Sequence, residues 1–196
     1  MSPLDRREVV KTLLSDRGGL LVVAGLGAPA WDATAAGDHP LNFPLWGGMG
    51  GAALIGLGLA IAQPARRVLV LTGDGELLMS LGSLATIGVE RPPNLAVVVL
   101  DNERYGETGM QESHTAHGVD LASVAAACGF ASSSTVTTID AVVRLRADIR
   151  VAQGPLFAQI KVAPDKLPLV LPPSDGAHLK NRFREALLGP QALQQR

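Results

Sequence analysis

Four short runs of the chain are dominated by aliphatic residues: Leu20 to Ala24, Val68 to Thr72, Leu95 to Leu100 and Pro155 to Val162. They are shorter than ordinary helices. The first three also lack the every-second polar position of a strand with one wet face, so they read as strands covered on both sides. The segments between them have helical spacing. Asp5 to Ser15, Ala28 to Ala36, Gly50 to Ala62, Leu77 to Gly88, Leu121 to Cys128 and Asp140 to Arg150 are the expected helices, and Phe130 to Val136 contains a further strand. Pro44 interrupts a short segment from Phe43 to Trp46. Apolar strands alternating with helices imply βα units, hence an α/β fold with a doubly wound, mostly parallel sheet and helices on both faces. Residues 1–165 form the expected domain. Residues 166–196 form a Pro-rich tail, read as a packing arm or partner contact, with a helix over His178 to Leu188. Ligands of such sheets bind beyond the carboxyl ends of strands, which draws attention to the residues after Ala24, Thr72 and Leu100.

Composition narrows the function classes. Hydrophobic residues make up 47% and charged residues 18%, enough apolar surface for a folded core. With 17 basic and 18 acidic residues there is no basic footprint for nucleic acid. The apolar stretch Gly47 to Ala62 is broken by glycines and is too short for a membrane span of roughly 20 residues; it is expected to be a buried helix. The single cysteine, Cys128, excludes an intrachain disulfide and reads as a small buried apolar residue. The N-terminal MSPLDRREVV has no signal-peptide core, and a cytoplasmic protein is expected.

Chemistry concentrates at two strand ends. Gly73-Asp74-Gly75 directly follows VLVLT, and Asp101-Asn102 ends the next strand. Parallel strands bring both ends to one sheet edge, where Asp74 and Asn102 can converge on one hard cation as oxygen ligands. The Asn carbonyl would ligate without adding negative charge. A Gly-rich turn, Gly47-Gly48-Met49-Gly50-Gly51, lies upstream. A G-x-G-x-x-A pattern occurs at Gly25 to Ala30 and at Gly48 to Ala53, which would suit a dinucleotide site. The first copy lacks an acid near position 45. The second follows a segment containing Pro44, and its acid, Asp74, sits between two glycines.

Gly-Asp-Gly, a stretch from Glu76 to Asp101, then Asn102 is similar to the fingerprint of the thiamine-diphosphate enzymes. The resemblance implies Mg²⁺ ligands at Asp74, Asn102 and the backbone carbonyl of Arg104, and backbone N–H groups of Gly75 and Glu76 facing the diphosphate. Gly73, Tyr105 and Gly106 would flank that site, with Gly25 in a neighbouring loop. A glutamate at position 76 departs from the small hydroxyl residue usual there, and its side chain should point away. Met49 matches the hydrophobic residue that props the cofactor in its bent form, with Gly47 close to the aminopyrimidine and Gly48 in the same cofactor-binding turn. LGSLATIG and LDNERYGETGMQESHT further resemble 2-oxo-acid decarboxylases of the sulfopyruvate and phosphonopyruvate type, from about Leu20 to Phe130.

In that family a second domain of similar size binds the aminopyrimidine and supplies the activating glutamate. No second βα array of that length is present here. The resemblance therefore implies an α subunit as partner, a homo-oligomer of this chain, a small 2-oxo acid as substrate, and little activity alone. Other thiamine-diphosphate chemistry, such as acetolactate formation, and a non-catalytic cofactor-binding subunit remain alternatives. His114 and His117 lie in a long polar loop, Asn102 to Gly118, too few for a metal site by themselves. His114 is a candidate for proton transfer or substrate binding at the cleft, with Glu107, Thr108 and Gln111 of the same loop as possible neighbours.

Overall fold

A computed structural model describes residues 3–193. The chain runs α1 (Arg6–Leu14), β1 (Leu21–Ala24), α2 (Ala28–Ala35), β2 (Asn42–Pro44), α3 (Ala52–Ala62), β3 (Val68–Gly73), α4 (Asp74–Met79) and α5 (Ser83–Glu90). It continues through β4 (Leu95–Asp101), β5 (Arg104–Tyr105), β6 (Gln111–Glu112), α6 (Leu121–Ala127), β7 (Ser132–Val136), α7 (Ile139–Val151), β8 (Leu156–Lys161) and α8 (Gly176–Leu188).

Six strands form one parallel sheet in the order β2-β1-β3-β4-β8-β7. Successive side chains point to opposite faces, so each apolar run feeds two cores. Val22, Leu69, Leu71, Val98, Leu100 and Ile160 pack with α1, α2 and α7 on one face. Leu21, Val23, Val70, Val97, Val99 and Phe157 pack with α3, α5 and α6 on the other. Each fully buried aliphatic side chain contributes roughly 1.5–3 kcal/mol over its exposed state. The order reverses between β1 and β3. A crevice opens at such a point beyond the strand ends, and here it receives Gly73 from the end of β3.

Several expectations need correction. Leu77 to Gly88 is not one helix. It divides into α4 and α5, because the Ser80 N–H closes a turn on the Leu77 carbonyl and the Ser80 hydroxyl donates to the Gly50 carbonyl at 2.5 Å. The side-chain bond ties the break to the Gly-rich turn. The helix α3 is buried on one side only: Leu54, Ile55 and Ile61 are 45%, 39% and 56% exposed. Cys128 is half-buried rather than buried. The polar loop contains a small antiparallel hairpin, β5 with β6, pairing Arg104 with Glu112 and Tyr105 with Gln111. Pro44 ends the edge strand β2, a place where a missing N–H costs no ladder bond.

The segment after residue 165 folds back. Phe183 of α8 meets Phe43 of β2 edge-on at 5.5 Å, Arg182 pairs with Asp38 at 2.6 Å, and the Trp46 indole donates to the Pro173 carbonyl at 2.8 Å.

At the end of β4, Asp101 is fully buried and accepts from Thr115 at 2.7 Å, Gln159 at 2.6 Å and Lys161 at 2.7 Å. This carboxylate ties β4 to β8 and to the turn that follows β6. Lys161 also reaches Glu103 at 2.8 Å.

Candidate active-site cleft

Beyond the ends of β1, β3 and β4 lies a narrow cleft. It is lined by Leu26, Ala28 and Pro29 at the start of α2, by Met49, by Gly73, Asp74, Gly75 and Glu76, by Asn102, Arg104, Tyr105, Gly106 and Glu107, and by Arg6 from α1. Met49, Asp74, Asn102 and Arg104 come from three separate parts of the sequence and meet here.

The chain conformation explains how each is held. Gly73 leaves β3 extended and α4 begins at once, so Asp74 stands at a helix start with its carboxyl group 1% exposed. One oxygen, Oδ2, accepts from the Ser113 hydroxyl at 2.5 Å, and the Thr115 hydroxyl lies 3.3 Å from it with Asp101 as its nearer acceptor. Neither hydroxyl bonds the other oxygen. Burial pushes the Asp74 pKa up to about 6, and the nearby Asp101 adds to the rise, against the hydroxyl bonds that lower it. Asn102 bonds its own turn, its Oδ1 accepting the Arg104 N–H at 3.0 Å. Glu103 takes a positive φ of 61° to turn the chain there. Among the described residues no group of three or more His, Cys, Asp or Glu could hold a metal. The donors at this edge are instead a carboxylate, an amide and a backbone carbonyl, all hard oxygens that suit a hard divalent cation. A cation would also relieve the desolvation that raises the Asp74 pKa.

Residues 31–160 match the family model for the C-terminal TPP binding domain of thiamine pyrophosphate enzymes. The chain belongs to the thiamine pyrophosphate (thiamine diphosphate) enzymes. It is 36% identical over 191 residues to the sulfopyruvate decarboxylase subunit beta of Methanothermobacter thermautotrophicus, covering 95% of this chain and 97% of that one. It is 37% identical to the phosphonopyruvate decarboxylase of Streptomyces viridochromogenes over 87% of this chain, but only 43% of that longer protein. Among solved structures, a thiamin diphosphate-dependent enzyme from Mycobacterium smegmatis superposes with a TM-score of 0.70 at 25% identity, over 83% of this chain and 32% of that one. The dinucleotide-site alternative falls with this membership.

Other residues of this thiamine-pyrophosphate-binding chain fall differently. The Glu76 side chain turns into the protein, 3% exposed. It accepts the Thr72 hydroxyl at 2.8 Å and faces the backbone N–H groups of Gly50, Ala52 and Leu26. Burial raises its pKa against these donors. Gly25 does not line the cleft. It lies buried directly on the Glu76 carboxyl. Gly47 and Gly48 are exposed and also stand outside the cleft lining, which only Met49 of that turn enters.

His114 is not brought to the cleft. It is exposed, in a separate depression with Glu112, Ser113, His117 and Val119, and meets the cleft only through the Tyr105 hydroxyl, 3.2 Å from its Nδ1. The hairpin turns it outward. His117 pairs with Glu112 at 3.2 Å. Thr108 and Gln111 bond each other at 2.9 Å on the surface, while Glu107 does face the cleft.

Sequence reasoning missed Arg6, whose helix carries no motif, and the hydroxyls of Ser113 and Thr115 that fix Asp74. Their only signal was a pair of small polar residues inside a loop already under attention.

The free volume of the cleft is only about 50 Å³. The Tyr105 ring lies on Gly75, and the Glu107 carboxyl lies on Gly27, so close that a Cβ on either glycine would clash at 2.5 and 2.4 Å. The hairpin therefore rests on the two backbone turns. A wider groove of about 350 Å³ continues past Arg6, Ala28 and Glu107 to Trp31, Met110, Lys166 and Leu169.

No described helix is long and apolar enough to cross a membrane.

Proposed function

We propose that this chain is the cofactor-binding subunit of a thiamine-diphosphate-dependent decarboxylase that acts on a small 2-oxo acid bearing a second anionic group, of the 3-sulfopyruvate or 3-phosphonopyruvate type. The observation that carries the reading is the meeting of Asp74, Asn102, Arg104 and Met49 in one cleft at the strand-order reversal. The near end-to-end likeness to a sulfopyruvate decarboxylase beta subunit supports the subunit role and the substrate class. Asp74, Asn102 and the Arg104 carbonyl would hold Mg²⁺, consistent with a buried carboxylate that has one oxygen anchored by hydroxyls and a pKa pushed up by burial. The backbone N–H groups of Gly75 and Glu76 open α4 toward the diphosphate. The absence of a side chain at Gly75 and Gly27 keeps both turns open to a ligand once Tyr105 and Glu107 move aside. Met49 supports the bent form of the cofactor.

When bound, thiamine diphosphate supplies a carbon nucleophile and an electron sink for the bond to CO₂. The residues here position it and exclude water. The glutamate that activates it belongs to a partner chain carrying the aminopyrimidine-binding domain, an α subunit. The exposed apolar residues of α3, together with Met79 at 61% exposure, support a further contact between copies of this chain.

The test is to co-purify the chain with its co-expressed partner and assay 3-sulfopyruvate, 3-phosphonopyruvate and pyruvate with thiamine diphosphate and Mg²⁺. Decarboxylation of an anionic 3-substituted acid, present only when both chains are mixed, is the expected outcome. Asp74→Ala should abolish Mg²⁺-dependent cofactor binding. Unchanged cofactor affinity in that variant would remove the metal assignment, and acetolactate as product would move the chain to another branch of the family.

A further inference from the structure

Arg6 and Arg7 occupy the first turn of α1. Cations there oppose the helix dipole, so their placement calls for a partner elsewhere. Both reach Asp32 of α2, which is fully buried: Arg6 Nε bonds Oδ2, and Arg7 Nε meets Oδ1 at 3.2 Å. Arg7 is further satisfied by the Pro168 carbonyl at 2.8 Å. One carboxylate cannot neutralise two guanidinium groups. The surplus falls on Arg6, which is only 8% exposed. Among the described residues its two terminal nitrogens donate no hydrogen bond, while Arg6 lines both the cleft of Asp74 and Asn102 and the groove beyond it. Neither terminal nitrogen is among the sealed, unpartnered atoms of the described residues, so both can be reached by an anion in the cleft.

A second observation points to the same spot. The start of α2, an eight-residue helix, opens into the cleft at Ala28 and Pro29 with no side-chain cap; Pro29 has no N–H, so the free backbone donor at the lining is that of Ala28. The carboxyl group that lies there is that of Glu107, seated on Gly27 and acted on electrostatically by Arg6. Glu107 belongs to the exposed hairpin loop, so an anion reaches this place without being built into the core.

Resting on the functional reading above, we propose that Arg6 is an oxyanion-binding residue of this site. Its terminal nitrogens, with the uncapped start of α2, take a phosphoryl or sulfonyl oxygen, and Glu107 holds that position until the ligand displaces it. The oxyanion comes either from the cofactor diphosphate or from the second acidic group of the substrate.

The experiment uses the complex with its partner. Thiamine diphosphate affinity is measured directly by calorimetry, and KM is measured for 3-sulfopyruvate and for pyruvate, in Arg6→Gln, Arg6→Lys, Arg7→Gln and Glu107→Gln. Loss of a charge-assisted contact is expected to weaken the ligand by about tenfold or more. If the diphosphate is bound, Arg6→Gln raises the cofactor dissociation constant and leaves the KM ratio of the two acids unchanged. If the substrate group is bound, cofactor affinity holds and KM rises for 3-sulfopyruvate alone. Arg6→Lys should retain part of the effect. Glu107→Gln, which breaks no buried ion pair, should tighten the same ligand severalfold, and this keeps the proposal testable if Arg6→Gln folds poorly. Arg6→Gln indistinguishable from Arg7→Gln in both assays, or Glu107→Gln without effect on either ligand, overturns it. An unmutated complex that binds no thiamine diphosphate would instead be a failure of the functional reading, seen before any variant is made.

Discussion

A Cβ on Gly25 would fall 1.7 Å from the Glu76 carboxyl oxygen. The carboxyl has little room to retreat, because Thr72 and the turn at Gly50 to Ala52 surround it. Gly25→Ala should therefore cost about 1–3 kcal/mol through overpacking, read as a fall in Tm. Adding Glu76→Ala to Gly25→Ala should recover most of that loss, whereas additive effects would show that the two residues are not coupled. Met49 has a different expected signature. Met49→Ala should lower kcat more than cofactor affinity, because its proposed part is to organise reactive geometry; a fall in affinity at constant kcat would reduce it to packing. At this scale the sequence singled out Asp74, Asn102 and Met49 because each sits in a motif with its own backbone signature, and the fold brings the three to one cleft. The inward turn of Glu76 was half legible: its departure from the usual small residue was visible, but the three loops it joins are far apart in the chain. His114 lies outside the cleft lining, because sequence distance from Asn102 says nothing about which way a hairpin faces.

Elements were legible where burial dominates. The runs at Leu20, Val68, Leu95 and Pro155 gave strands within a residue or two of those observed, since few folds other than a covered sheet accommodate them. The break between α4 and α5 was not legible, because it depends on a bond from Ser80 to a carbonyl on another loop. The hairpin of β5 and β6 is likewise held by tertiary contacts. The Asp101 cluster that joins β4 and β8 offers a direct test of one such contact. Asp101→Asn should destabilise the chain by about 1–3 kcal/mol, a value reduced because Lys161 keeps some access to water, and this should appear in thermal unfolding. An unchanged Tm would mean that the cluster contributes no net stability. Burial alone would lower the Lys161 pKa, but Asp101 and Glu103 more than reverse this and hold it above the usual value. Its contribution to stability should thus be full below a pH of about 10 and fade above it.

At the scale of the whole molecule, the exposed side of α3 is the feature that a solitary domain leaves unexplained. If copies of this chain meet there, Ile61→Asp should raise the dissociation constant of the self-association by about tenfold or more, visible in sedimentation velocity, while thermal stability of the dissociated chain changes little. An unchanged association would place the contact elsewhere. One of the two rims of the sheet is covered by a segment of the chain itself. The strand β2 lies at the rim of the sheet, and α8 packs against it through Phe183 and Phe43. An uncovered rim is a template on which further chains can pair. Removal of α8 would uncover Phe43 and this rim together, so a chain lacking residues 164–196 should be recovered as insoluble aggregate more than the full chain is, even though every residue of the cleft save its outer groove is intact.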